Sequence, residues 1–203
     1  MKVIPFSDAA IAEAVAVLKA GGIVAHATET CYGFACDLTN ENAVAKLFAI
    51  KKRPLNQPVS ALFASVNDAQ RYVTWNTEAL ELAKKHLPGP LTLIIPLRID
   101  APRRLHLCAK KTAALGMRVS SHPIAQELVT RYKSPLSTTS ANLHGADNLY
   151  SPEEILEQFA LKEFQPDLIL DSGPLPGNPP STVIDLSGKN GGVARQGGIQ
   201  VKK

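Results

Sequence analysis

The amino-acid sequence predicts a single α/β domain over residues 1–203, built as a twisted mixed sheet with flanking helices. Three observations carry this. Strand-like and helix-like segments alternate, but without a regular βαβ repeat. Apolar residues make up 45% of the 203 and aromatic residues only 5%, so aliphatic side chains must fill the core. One domain of this length buries about 70% of its unfolded surface and needs no covalent staple.

The elements follow in order. Residues 8–20 form an amphipathic helix, because Ile11, Val15 and Leu18 share one stripe with Ala14. Ser7 or Asp8 caps its start and Gly21-Gly22 stop it. Residues 22–27 are a strand that begins with the apolar run 22–25, and the polar stretch 26-HATETCYGF-34 sits at its exit. Val44, Leu47 and Phe48 mark a helix over 41–51, and 59–63 is a strand. Helix-like segments at 67–73 and 77–86 precede the turn 88-PGP-90. The near-continuous apolar run 91–97 reads as a strand buried on both faces. A short strand at 116–119 leads to a helix over 123–132, opened by Pro123. Strand 136–140 follows. Ser151-Pro152-Glu153-Glu154 is a capping box for a helix reaching about Leu161. Strands at 167–171, 182–186 and 193–196 close the chain, and 173-GPLPGNPP-180 is a surface loop.

Net charge is +4, which suits an anionic small-molecule substrate, a weak RNA contact, or plain solubility. Cys31, Cys36 and Cys108 are odd in number and contain no CxxC pair, which argues against a disulfide framework or a zinc site. A reducing cytoplasm is the expected compartment. No apolar run approaches the roughly 18 residues of a membrane span, and Asp8, Glu13 and Lys19 interrupt the N-terminal stretch. The glycine patterns of the common nucleotide cradles are absent.

Five polar clusters are not explained by folding alone. They are 28-TET-30 with Tyr32-Gly33, 51-KKRP-54, Arg118, 137-STTSAN-142, and 181-STV-183 with 195-RQG-197. Singly, each has an ordinary reading. Hydroxyls close turns, basic residues complement a helix C-terminus, and threonine suits strands. Together they supply cations for a polyphosphate in Lys51, Arg53, Arg118 and Arg195, with neutral donors and acceptors beside them. With no nucleophile pair and no metal cage in the sequence, the pattern points to positioning and charge neutralisation. Glu29 is a candidate general base by its chemistry, or a holder of its turn.

The motifs 27-ATETCYGF-34, 51-KKRP-54, 88-PGPLT-92, 118-RVSSHPIA-125, 137-STTSANLHG-145, 181-STVID-185 and 195-RQG-197 occur in this order. On these the chain resembles the YrdC/TsaC family, the threonylcarbamoyl-AMP synthases, from about Phe6 to Gly198. It looks like the short form without the extra C-terminal domain. The resemblance implies a YrdC-like sheet with a positively charged concave groove. It implies a nucleotidyltransferase that makes threonylcarbamoyl-adenylate and pyrophosphate from L-threonine, bicarbonate and ATP, with Mg²⁺. A TsaD-type transferase then carries the group to tRNAs that read ANN codons, as the t6A modification. Carried over by motif, Thr30, Arg118, Thr138 and Ser181 hold threonine. Lys51, Arg53, Ser140, Asn142 and Arg195 hold ATP or pyrophosphate, Lys51 and Arg53 as the catalytic cations. Gln57 and Asn148 fall where further nucleotide contacts occur. No resident metal ligand is expected.

Three positions depart from the family pattern. Ala27 stands where a proline is usual, which should loosen its turn. Leu62 replaces a common histidine, which removes a threonine contact. His144 replaces a serine. The stretch 102–119 is similar to a YciO-like branch. The alternatives are therefore a YciO-like paralogue, or an RNA-binding protein using the same groove for tRNA or double-stranded RNA in RNA or ribosome maturation.

Overall fold

The computed structural model describes residues 1–102, 104–107, 113–188 and 191–201. Cys108 and part of the 102–119 stretch lie outside the described residues.

The strands are β1 (Lys2–Pro5), β2 (Val24–Ala27), β3 (Tyr32–Ala35), β4 (Ser60–Leu62), β5 (Leu91–Pro96), β6 (Ala114–Arg118), β7 (Leu136–Ser140), β8 (Leu168–Asp171), β9 (Thr182–Asp185) and β10 (Gly192–Arg195). The helices are α1 (Asp8–Lys19), α2 (Glu41–Lys51), α3 (Val66–Gln70), α4 (Thr77–His86), α5 (Pro123–Tyr132) and α6 (Pro152–Phe159). Local signals set their starts. Ser7, Asn40, Ser65, Asn76 and Ser151 each accept a backbone N–H of the first turn through a side-chain oxygen.

Among the described residues the strands form one sheet in the order β1-β8-β2-β3-β7-β4-β6-β5-β9-β10, with parallel and antiparallel pairs. Strand alternation divides the apolar side chains between its two faces. Ala25, Phe34, Ala61, Leu93 and Met117 join the larger core with α2, α4 and α6. Val24, Ala35, Leu62 and Leu136 join a smaller core under α1 and α5. Helices α1 and α5 cover only part of that second face.

Two strands differ from the sequence expectation. Residues 28–34 are not merely a strand exit. Thr28 N donates to Cys31 O at 3.2 Å and closes a β2–β3 hairpin, with Ala27 opposite Tyr32. The polar turn residues masked the alternation of Tyr32 and Phe34 about Gly33. Strand β1 is a short edge whose residues are mostly exposed, so it has no alternating apolar signature.

The connection from β8 to β9 passes from the second to the ninth position in the sheet. Seven inter-strand steps span roughly 34 Å along the sheet. The eleven steps from Asp171 to Thr182 reach roughly 36–40 Å when extended. Residues 172–181 make this crossing with Gly173 and Gly177 in the left-handed region and with prolines at 174, 176, 179 and 180. The segment carries no regular secondary structure, as expected, but it acts as a strap. The Tyr32 hydroxyl donates to Gly173 O at 2.8 Å and accepts from Ser172 N at 3.0 Å. Asn178 Nδ2 donates to Glu29 O at 3.0 Å.

Candidate functional site

The uncovered part of the second face is a groove of about 460 Å³. Its floor follows from register. On β7, Leu136 is buried under α5, so Thr138 and Ser140 point the same way but beyond the helix. On β4, Leu62 is buried likewise and Ser60 continues into the groove. Arg118 pairs with Leu62 across β4–β6 and extends the row. Gly33, Thr92, Ile94 and Val183 complete it. The lining carries Lys51, Arg53, Arg118 and Arg195 and, among the described residues, no aspartate or glutamate.

Lys51 ends α2 and is 2% exposed. Its Nζ donates to Ser140 O at 2.5 Å, Asn142 O at 2.7 Å and Asn142 Oδ1 at 3.0 Å. Burial, then Arg53, pulls its pKa down to about 7, while the three oxygens hold the ammonium in place. Ser140 Oγ donates to Asn142 Oδ1 at 2.6 Å, and Asn142 Nδ2 donates to Ala146 O at 2.5 Å and Asp147 O at 3.0 Å. The 137–142 motif thus fixes the lysine and folds the loop that follows. His144 joins this wall, its N–H bound to Lys51 O at 2.8 Å.

Lys52 follows in a left-handed conformation and turns Arg53 toward the groove. Arg53 Nε donates to Gln57 O at 3.0 Å and its Nη2 to Pro58 O at 2.8 Å. Gln57 therefore supports Arg53 through its backbone and does not line the groove, whereas Asn148 does.

Arg118 Nη2 donates to Glu29 Oε1 at 2.8 Å and to Thr30 Oγ1 at 3.0 Å. Ser120 Oγ donates to the other Glu29 oxygen. Burial opposes the ionised carboxylate, yet Arg118 and Ser120 hold Glu29 below its usual range. A carboxylate so stabilised is a poor proton acceptor, so the geometry favours Glu29 as a holder over a general base. Arg195 donates from Nη2 to Ser181 O at 2.9 Å and Ser181 Oγ at 3.0 Å. Burial, then Arg118, lowers its pKa, which marks two guanidiniums facing one cavity.

Sequence reasoning found the cations and the hydroxyl run. It missed Thr92, whose Oγ1 lies 3.0 Å from Ser181 Oγ, though 88-PGPLT-92 contains it. It singled out Gly33, which lines the groove, but missed Ser60 and Ser120, which only register and the start of α5 bring into place. The turn with Ala27 is closed without proline, because the Thr28 hydroxyl donates to Cys31 O at 2.7 Å and accepts from Thr30 N and Cys31 N at 3.2 and 3.3 Å. Leu62 packs under α5 and contributes nothing to the groove. Cys31 and Cys36 are free thiols. Among the described residues no helix is long and apolar enough to cross a membrane.

Known proteins share this fold. The family profile Sua5/YciO/YrdC, described as telomere recombination, matches residues 16–197. The protein YciO of Escherichia coli (strain K12) is 34% identical over 193 residues, 95% of this chain and 91% of its own. The threonylcarbamoyl-AMP synthase of Yersinia pestis (strain Pestoides F) is 34% identical over 185 residues, 88% of this chain and 93% of its own. The crystal structure of P. abyssi Sua5 complexed with L-threonine superposes with a TM-score of 0.86 at 30% identity, covering 98% of this chain. This chain spans 58% of that longer protein. By the extent of the profile match and these identities, the chain belongs to the Sua5/YciO/YrdC family.

Proposed function

We propose that the protein is a threonylcarbamoyl-AMP synthase. The observation that carries this is Lys51, held by Ser140 and Asn142 in a groove that also presents Arg53 and Arg195 and, among the described residues, is lined by no carboxylate. Such a lining suits the triphosphate of ATP. Beside these cations, Arg118, Thr30, Thr138 and Ser181 offer a guanidinium for a carboxylate and hydroxyls for an amine. Similarity to a synthase, and to a relative crystallised with L-threonine, supports the same assignment.

The threonine ammonium first yields a proton to solvent, and the free amine attacks the carbon of bicarbonate, with loss of water, or of CO₂, with loss of a second proton to solvent, to give the carbamate. A carbamate oxygen then attacks the α-phosphorus of ATP. The bond to the β-phosphate oxygen breaks and pyrophosphate departs. Lys51 and Arg53 stabilise the charge gathering on that leaving group, and Arg195 binds the phosphates. Both partners are anionic, so neutralisation and alignment are the main tasks. Mg²⁺ belongs here to the nucleotide. The groove offers hydroxyl and amide oxygens, which suit a cation bound by phosphates and water. The product is an activated acyl-adenylate, which a TsaD-type transferase would consume on tRNA in the cytoplasm.

The test is pyrophosphate release with MgATP, bicarbonate and each amino acid in turn. Release that needs both threonine and bicarbonate supports the function. Release indifferent to threonine contradicts it and favours a YciO-like activity.

A further inference from the structure

The geometry points to Glu29 as the residue that reserves Arg118 for a carboxylate and keeps phosphate groups off that guanidinium. This rests on the function proposed above and assigns a positioning residue within it.

The four groove cations are not treated alike. Lys51 and Arg195 meet only neutral oxygens, from Ser140, Asn142 and Ser181. Arg118 instead faces a carboxylate, with side-chain exposures of 8% for Arg118 and 15% for Glu29. Uncompensated cations attract a polyphosphate, whereas a neutralised guanidinium has little long-range pull. It still offers N–H groups to a planar carboxylate at close range. Glu29 does not line the groove, so it acts through Arg118.

Glu29 is held from three directions. Ser120 Oγ binds its second oxygen, and that same Oγ accepts from His122 N at 3.1 Å in the α5 cap. Gln126 Nε2, one turn on, donates to Ser120 O at 2.6 Å. Asn178 of the strap binds the Glu29 carbonyl at 3.0 Å. The hairpin turn, the start of α5 and the strap therefore converge on one residue. This arrangement fixes the Nη2 edge of Arg118 on Glu29 and Thr30, and no described residue bonds its Nη1.

Glu29→Gln keeps the shape and removes the charge. Its expected effect is a rise in KM for threonine of about tenfold or more, with KM for ATP changed by no more than about threefold. Pyrophosphate, expected to compete only with ATP in the wild type, should become competitive with threonine. Ser120→Ala keeps the charge and loosens the anchor, so it should raise KM for threonine without the new competition. The Arg118 Nε–H NMR signal reports ordering of the guanidinium without turnover, and should broaden or shift in Glu29→Gln. Equal changes in both KM values, or an unchanged inhibition pattern in Glu29→Gln, overturn the proposal. A wild type with no threonine-dependent release contradicts the function itself, whereas an active wild type with an unaltered variant contradicts only the role of Glu29.

Discussion

Lys51 and Asn142 lie 91 residues apart in sequence and meet twice, with Nζ at 2.7 Å from the Asn142 carbonyl and 3.0 Å from its Oδ1. The lysine at the end of α2 is thereby held by the loop after β7, and its charge is delivered to the groove at a fixed point. Replacing Lys51 and Arg53 together by alanine should lower pyrophosphate release about 10²–10³-fold, the usual cost of removing charge stabilisation at a leaving group. Steady-state kinetics check this, and an unchanged rate would remove both residues from the leaving-group role.

The pH profile should carry the signature of Lys51. Its ammonium loses a proton above about 7, so KM for ATP should climb as pH rises through that value. Bound phosphate favours the charged form, so the limb should move to higher pH in kcat. Lys51→Arg, charged throughout, should flatten it.

His26 predicts an acid-side loss of stability. It is fully buried, its Nδ1 lies 3.1 Å from Ala27 O, and burial pulls its pKa from 6.5 to about 4. Glu29, Arg118 and His122 are the charged or titratable neighbours that act on it. Between those pH values the unfolded chain binds the proton and the folded one does not. Stability should therefore fall as pH drops from 6.5 to 4, by up to roughly 3 kcal/mol. Urea unfolding of His26→Phe should show a flatter acid limb than the wild type.

Ser60 on the groove floor packs against a β6 position that has no side chain. A Cβ on Gly116 would sit 2.4 Å from Ser60 Oγ, so Gly116→Ala should destabilise the fold by about 1–3 kcal/mol. Ser60→Gly removes the obstructing hydroxymethyl. The double variant should lose less stability than the two single losses summed.

Much of this was legible in the chain. Helix caps at Ser7 and Ser151, and the apolar stripe of Ile11, Val15 and Leu18, place helices by local rules. The cations and the 137–142 run also stand out, because so many hydroxyls fit poorly in a core strand. What the chain could not display is parity. Whether Ser60 or Thr92 faces the groove depends on pairing with strands far away in sequence. The Glu29–Arg118 pair spans 89 residues and was invisible for the same reason. Strand β3 was lost because Gly33, needed where a Cβ would approach Thr139 O to 3.2 Å, interrupts its pattern.

The most direct measurement follows the carbon of bicarbonate. The protein is incubated with isotope-labelled bicarbonate, MgATP and L-threonine, and the adenylate fraction is separated and weighed by mass spectrometry. The account predicts a labelled threonylcarbamoyl-adenylate that disappears when threonine is omitted or when Lys51 and Arg53 are both alanine. An adenylate without the label, or labelled product that forms without threonine, would contradict it.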